Sequence, residues 1–356
     1  RARVGLGFDH RQLHPEHPTA LTTVVDASRR TPTAVLHDHL DGGLRVDTVL
    51  DLADAAGHRL PAEDADALAA WFHQGRSGSL ERYLEAFEHT IAVMQTADAI
   101  ERVAEEAVAD LADDGVVYAE IRFDPGLFTR AGLAREDVIE ASLSGFASGA
   151  RDRDIVVYGI VCGLRHQDDT ELAADAAIRF LDDGIVAFDL AGPERGFPPD
   201  DHLSAIGKVH RAGLGLTLHA GEGDGAHSVW RALALCGAQR IGHGVHVVDD
   251  TDFDGRSITR LGPLARRVLD QQVPLEVAVT SNLHSASFVS GVVDPLGALA
   301  SAGFYVSINT DYRLMSDVSV SGEYELAAIA FGLGSDDLGR ITERAVAAGF
   351  GPWSER

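Results

Sequence analysis

The sequence predicts an α/β protein folded as a single (β/α)₈ barrel of the TIM type. Three observations carry that expectation. Eight short runs rich in Val and Ile recur along the chain, each followed by a longer helical stretch, the alternation that builds parallel βα units. The runs are continuously apolar, as strands covered on both faces require. Several of them end in His or Asp, and a barrel of this class carries its chemistry at the C-terminal ends of its strands. Length alone suggests about two domains, yet such a barrel routinely occupies ~250 residues or more as one unit.

In chain order the strands are expected at Ala34–Asp38, Val116–Arg122, Ile155–Val161, Ile185–Leu190, Leu214–His219, Arg240–His243, Pro274–Val279 and Phe304–Asn309. Between them, Leu80, Leu84, Phe87, Ile91 and Met94 recur at spacings of three and four, one apolar helix face. Ala97–Asp113 and Glu171–Asp182 read as helices in the same way. The gap between the first two strands exceeds one crossover helix, so residues 46–94 are expected to form extra helices over the barrel mouth. Residues 1–33 form an N-terminal extension, Pro- and Arg-rich, and residues 34–356 form the barrel.

Composition excludes several classes. The formal charge is −25, from 55 acidic and 30 basic residues, a balance that repels phosphate backbones and argues against nucleic-acid partners. The absence of a run of ~18 apolar residues argues against a membrane span. No signal-peptide pattern stands at the start, and a cytoplasmic location is expected. The two cysteines, Cys162 and Cys236, are too few for a disulfide framework or a Cys-rich zinc site. A single lysine, Lys208, stands against 29 arginines. It falls in Ser204-Ala-Ile-Gly-Lys-Val-His-Arg211, a helical stretch away from the strand ends, which disfavours Schiff-base chemistry and a lysine-bridged metal pair.

Four segments carry candidate chemistry. In Leu36-His-Asp-His-Leu-Asp-Gly-Gly43, His37 and His39 share one face of a strand because side chains alternate with period two. They are either half of a metal site or a pair of core histidines. Asp38 faces the other way as a structural residue, and Asp41, beyond the strand, is placed to accept a bond from a substrate hydroxyl. His219 ends the fifth run, with Glu222 three residues on in the loop; alone, such a histidine is more often hydrogen-bonded to backbone than ligated to metal. His243 is flanked by Gly242 and Gly244, which allow close backbone approach at a crowded strand end. Asp311 follows the eighth run, where it is either a turn residue or, beside the first strand of a closed barrel, a fourth ligand. Together these place three imidazoles and a carboxylate at one rim, with another His and Glu beside them. That donor set suits zinc, and less exclusively iron or manganese.

The constellation resembles the adenosine deaminase family from about residue 34 to the C-terminus. The matching motifs are His37-Asp-His-Leu-Asp-Gly42, Asp189-Leu-Ala-Gly192, His219-Ala-Gly-Glu222, Gly242-His-Gly244, Thr280-Ser-Asn282 and Asn309-Thr-Asp311, in the family's order, with Gly115-Val-Val-Tyr-Ala-Glu-Ile-Arg122 matching its second strand. The resemblance implies that His37, His39, His219 and Asp311 hold one zinc ion per chain. It further implies that Glu222 protonates purine N1, His243 orients and deprotonates water, the Gly192 backbone contacts N3 and Asp41 contacts the ribose. The expected partner is a small-molecule purine nucleoside and the expected reaction is deamination of adenosine or deoxyadenosine. Oligomeric state is left open.

Two departures bear on substrate. Tyr312 stands where the family has an Asp, or an Asn in some bacterial members, that contacts purine N7. The segment Leu283-His-Ser285 also differs from the common pattern. An alternative expectation is therefore deamination of another 6-aminopurine nucleoside, such as an aminodeoxyfutalosine or a nucleoside antibiotic. A nucleoside-binding protein without turnover is the third reading, and a Glu and His facing a metal site argue against it. A cytidine-type zinc deaminase would need a Pro-Cys-x-x-Cys motif, which the sequence lacks.

Overall fold

The computed structural model describes residues 32–73, 80–285 and 295–356. Among the described residues ten strands occur: β1 Thr33–His39, β2 Val116–Phe123, β3 Val156–Leu164, β4 Ile185–Ala191, β5 Gly215–Ala220, β6 Arg240–His243, β7 Thr251–Phe253, β8 Ile258–Leu261, β9 Leu275–Val277 and β10 Val306–Ile308. Eight of them form one parallel sheet in the order β1-β2-β3-β4-β5-β6-β9-β10. The sheet closes on itself at the rim. Asp38 pairs with Asp311, His39 N donates to Asp311 O at 2.8 Å and Asp311 N to His37 O at 2.9 Å. Lower down, the Asn309 side chain stands in for ladder bonds: its Oδ1 accepts from Leu36 N at 2.8 Å and its Nδ2 donates to Val277 O at 3.2 Å. The expected barrel is therefore present.

Alternation along each strand divides the side chains. One set, including Ile121, Phe123, Phe188, Leu216, Leu218, Ile241 and Leu275, is buried in the main apolar core. The other set is polar and equally buried: His37, Glu120, Arg122, Asp189, Thr217, His219, Arg240, Glu276, Ser307 and Asn309. Such groups tolerate burial only when hydrogen-bonded or paired, and the partners are described below.

Three helices, Val46–Ala56, Ala65–Phe72 and Leu80–Val93, fill the long gap between β1 and β2, and Ala97–Asp113 completes the crossover. In the third, Phe87 is half-buried and Ile91 buried, with Met94 buried just beyond its end; the side chains of Leu80 and Leu84 lie outside the described residues. Ala97–Asp113 begins at a Thr96 cap, whose Oγ1 accepts from Ala99 N. It buries Ile100, Val103, Ala104, Ala107, Val108 and Leu111 along one stripe. The expected helix at 171–182 runs Thr170–Arg179.

Three details differ from expectation. The seventh barrel strand is only Leu275–Val277, because the chain turns into a helix, Val279–His284, whose Thr280, Ser281 and Asn282 serve the rim. The eighth is likewise confined to Val306–Ile308. The antiparallel pair β7–β8 was not anticipated; its turn is organised by Asp254, whose Oδ1 accepts from Arg256 N and Ser257 N, both at 2.8 Å. Residues 1–31 of the expected extension lie outside the described residues, and Thr33 already belongs to β1. Lys208 sits on the helix Leu203–Ala212, paired with Glu171 and Asp175 away from the strand ends. Among the described residues no helix is long and apolar enough to cross a membrane.

Candidate active site

β1, β5 and the residue pair after β10 bring their polar ends to one point. Among the described residues His37, His39, His219 and Asp311, all buried, each offer a ligand atom within 4.8 Å of the others. His37 Nε2 lies 3.3 Å and His39 Nε2 3.4 Å from Asp311 Oδ1, and His39 Nε2 lies 3.3 Å from His219 Nε2. Four ligands at the ~2.0–2.1 Å bond lengths of zinc define a tetrahedron with edges of about 3.3 Å. The three spacings match that edge.

The protonation states suit a cation as well. Burial, and after it the Arg122 guanidinium and neighbouring imidazoles, hold His37 well below the ordinary histidine range. Burial and then His219 do the same for His39. Both rings are therefore neutral with a lone pair free to coordinate. His37 Nε2 and Asp311 Oδ1 are buried without a hydrogen-bond partner, a costly arrangement that a bound cation resolves. The cluster is able to hold a metal ion.

Two of the three imidazoles, those of His37 and His219, are aimed from behind. His37 Nδ1 lies 3.0 Å from Glu276 Oε2, and His219 Nδ1 lies 2.9 Å from Asp189 Oδ2. These bonds turn the Nε2 atoms toward the common point, as carboxylates behind metal-binding histidines do. Arg122 ties the two carboxylates together, through Nη1 to Asp189 at 2.7 Å and Nη2 to Glu276 at 2.7 Å. Arg240 links Glu276 at 2.7 Å to Glu120 at 2.6 Å. Burial pushes the Glu276 carboxyl up, but Arg122 and Arg240 outweigh it and hold the group below its ordinary value. On the other side, Ser281 Oγ donates to Asp311 Oδ2 at 2.5 Å. Asp38 accepts from Thr310 Oγ1 at 2.7 Å and Arg313 Nε at 2.9 Å, the structural role expected of it.

His243 and Glu222 stand beside the cluster. His243 Nε2 is 3.5 Å from Glu222 Oε2, and its Nδ1 is 2.8 Å from Asn282 Oδ1. Its backbone has φ +61°, and Asp311 has φ +60°. Two non-glycine residues held in left-handed conformations, both at one rim, mark stored strain at a site of chemistry. Gly242 provides the clearance expected of it: a Cβ there would lie 3.1 Å from His37 Cε1 and 3.2 Å from His219 Cα. The Glu222 side chain retains 27% exposure toward the mouth.

The remaining candidates lie on the same rim. Asp41, buried in the 3₁₀ turn Leu40–Gly42 after β1, is pushed up to about 7 by burial, with Asp311 and Asp38 adding to the shift. Gly192 directly follows β4 with φ +88°, and the His166 ring would be 3.0 Å from its Cβ. Tyr312 stacks on His39 with ring centres 4.5 Å apart at 30°, and the Phe87 ring meets it edge-on at 4.7 Å. The helices inserted after β1 therefore reach the residues of the site. Sequence reasoning assigned no role to Glu276, Arg122, Arg240 or Glu194. The first three shared one available signal, a charge set inside an otherwise apolar strand.

A closed parallel barrel with a cluster able to hold a metal ion and an adjacent His–Glu pair at its C-terminal rim fits one enzyme class: barrel hydrolases that use a metal-activated water. Within that class the chain belongs to the adenosine deaminase family, whose model matches residues 32–356. It is 48% identical over 335 residues to proteins named adenosine deaminase from Mycobacterium bovis and Mycobacterium leprae, covering 92% of this chain and 92% of each relative. Among solved structures it resembles an adenine deaminase from Arthrobacter aurescens, at TM-score 0.78 and 26% identity, covering 91% of this chain and 95% of that one. An N6-mAMP deaminase from arabidopsis shares the fold at TM-score 0.79 and 24% identity, covering 92% and 96%. The protein is an aminohydrolase-type enzyme.

Proposed function

We propose that the protein hydrolyses adenosine and deoxyadenosine to inosine and deoxyinosine with release of ammonia, using one zinc ion held by His37, His39, His219 and Asp311. The observation that carries this reading is the buried quartet with zinc-like spacings, faced by Glu222 and His243. Relatives that bear the adenosine deaminase name across nine-tenths of the chain support the substrate.

Held by His37, His39, His219 and Asp311, a zinc ion would supply Lewis acidity, which makes water a nucleophile near neutral pH. The chain's own residues do the rest. His243, fixed by Asn282, takes the proton from the attacking water. Glu222 gives its carboxylic proton to purine N1, so that attack at C6 does not leave negative charge on the ring. Water oxygen thus bonds to C6 while N1 carries the proton from Glu222; His243 passes the water proton to the amino group, the remaining hydroxyl proton returns to Glu222, and the C6–N bond breaks to release ammonia. Asp41 is assigned to a ribose hydroxyl and the Gly192 backbone to N3.

A second reading, deamination of another 6-aminopurine nucleoside, is favoured by one observation. Tyr312, clamped between His39 and Phe87, puts a large ring where the family carries a small acid or amide. Ammonia release from a panel of 6-aminopurine nucleosides, on protein of measured metal content, tests both. Adenosine and deoxyadenosine are expected to turn over best, and adenosine ranking last would reject the first reading. Glu222→Gln is expected to retain its metal and lose at least about a hundredfold in kcat, the scale of general acid–base catalysis. Turnover like the wild type would remove Glu222 from the mechanism.

A further inference from the structure

We infer that Glu194 is a positioning residue for Glu222, holding, with Arg165, the turn on which the proton donor is carried. The inference rests on the proposed role of Glu222. Three successive backbone N–H groups of that turn converge on one carboxylate. Glu194 Oε2 accepts from Gly221 N at 2.9 Å, and Oε1 accepts from Glu222 N at 2.7 Å and Gly223 N at 3.0 Å. Glu194 is only 5% exposed, so this is an interior fixture rather than a surface bond. Burial pushes its carboxyl up, but Arg165, Ser228 and the turn's amides outweigh that and hold it below the ordinary glutamate value. It is therefore an anion, an acceptor on both oxygens.

Arg165, directly after β3, completes the fixture. Its buried guanidinium donates through Nη2 to Leu190 O at 2.8 Å and His219 O at 2.5 Å, and through Nε to Ala191 O at 3.3 Å. It thereby ties the end of β4 to the end of β5. The arrangement has a consequence for geometry at the reacting centre. One stretch of chain from β4 holds both partners: Asp189 orients the His219 ring, and Glu194, five residues on, holds the turn of Glu222. The metal ligand and the proton donor are thus registered against the same short segment. A donor that sits 27% exposed on a turn would otherwise wander, and misplacement by ~1 Å can cost about a hundredfold in rate.

Glu194→Gln tests the idea, because an amide has one accepting oxygen and its NH₂ must face a backbone N–H. The expected result is a fall in kcat of about 10- to 100-fold, with KM within about threefold and metal content and melting temperature close to wild type. Glu194→Asp, which restores the carboxylate, is expected to recover part of the loss. In a Glu222→Gln background the same change is expected to cost less than about threefold, since the group it positions is already absent. Wild-type kcat in Glu194→Gln, no recovery in Glu194→Asp, or a full additional loss in the double variant would overturn the inference. If Glu194→Gln fails to fold or to hold metal, Ser228→Ala takes its place, removing only the hydroxyl on the carboxylate. There kcat is expected to fall a few-fold at constant KM, and wild-type kcat would overturn the inference. Glu222→Gln with full turnover would instead sink the underlying reading of Glu222, so the two failures are distinguishable.

Discussion

Substituting Glu276 by Gln probes the interior network and the metal cluster at once. The carboxylate is fully buried on β9 and meets four donors. Oε2 faces His37 Nδ1 at 3.0 Å and Arg122 Nη2 at 2.7 Å. Oε1 faces Thr217 Oγ1 at 3.0 Å and Arg240 Nε at 2.7 Å. A glutamine keeps one oxygen and gains an NH₂, so either way round it turns a donor toward a guanidinium. One buried arginine is then left short of its partner, which costs about 3–5 kcal/mol, a fifth or more of the ~5–15 kcal/mol that holds an ordinary domain together. If the NH₂ faces Arg122, His37 also loses the acceptor that orients its ring. Loss of such a partner typically weakens metal binding about 10- to 100-fold, or ~1.4–2.7 kcal/mol. Denaturant unfolding of the metal-free protein reads the first effect, and competition with a chelator of known affinity reads the second. A variant that unfolds at the wild-type midpoint and holds zinc as tightly as the wild type would refute the view that Glu276 both neutralises the arginines and aims His37. Asp189→Asn is expected to behave similarly at His219, and because Arg122 is shared, the double variant should lose less than the two single effects combined.

Asp311→Ala removes one of the four proposed ligands; with structural zinc worth ~10–16 kcal/mol over its set, about 3 kcal/mol or roughly a hundredfold in affinity should go. Elemental analysis after dialysis reads it, and unchanged metal content would count against Asp311 as a ligand. Gly242→Ala brings a methyl to 3.1 Å from His37 Cε1 and 3.2 Å from the His219 backbone, so both ligands must shift by tenths of an ångström. A stability loss of about 1–3 kcal/mol with reduced zinc retention is expected, and full retention with an unchanged melting temperature would show the rim to be pliable. Asp124, buried at the end of β2, is pushed up to about 7, mainly by burial, with the Gly126 N–H opposing and Asp169 adding. The unfolded chain releases this proton near pH 4 while the folded chain keeps it to about 7, so stability falls as pH rises across that window and then levels. Asp124→Asn cannot titrate but keeps the accepting oxygen; its unfolding free energy should change less than the wild type's between pH 5 and 8, and an identical pH dependence would exclude Asp124 as the source.

What could be read from the sequence follows from how each residue signals. Period-two geometry alone puts His37 and His39 on one face, and closure of a parallel barrel brings His219 and Asp311 to them; both steps are local rules plus one topological one. The Asp189–His219 and Glu276–His37 pairings are of another kind. They depend on which interior residues stand level across the barrel, with β5 Thr217 beside β6 Arg240 and β6 Gly242 beside β9 Glu276, and register between distant strands has no signature in either segment. The shortened seventh strand was hidden for a related reason. Leu-Glu-Val-Ala-Val reads as one apolar run, yet Ser281 and Asn282 can reach Asp311 and His243 only if the chain coils immediately after Val277.

A charge inside a strand buried on both faces was nonetheless legible, and it carries more than a structural meaning. The connected interior holds four carboxylates, Glu120, Asp189, Glu276 and Asp311, against two guanidiniums, Arg122 and Arg240. Formally those six groups leave a surplus of two negative charges in a buried space, with Asp311 at its rim end. Burial, with Glu222 adding, pushes Asp311 up to about 6 against the opposing pull of His243 and the Ser281 hydroxyl. Two positive charges at the point where the three imidazoles converge would satisfy the orphaned Oδ1 and balance the network together. The ion pairs that pack the barrel and the cluster proposed to hold the metal thus form one electrostatic unit. A divalent cation should therefore raise the unfolding midpoint even of Glu222→Gln, in which turnover is lost but every one of those charges remains.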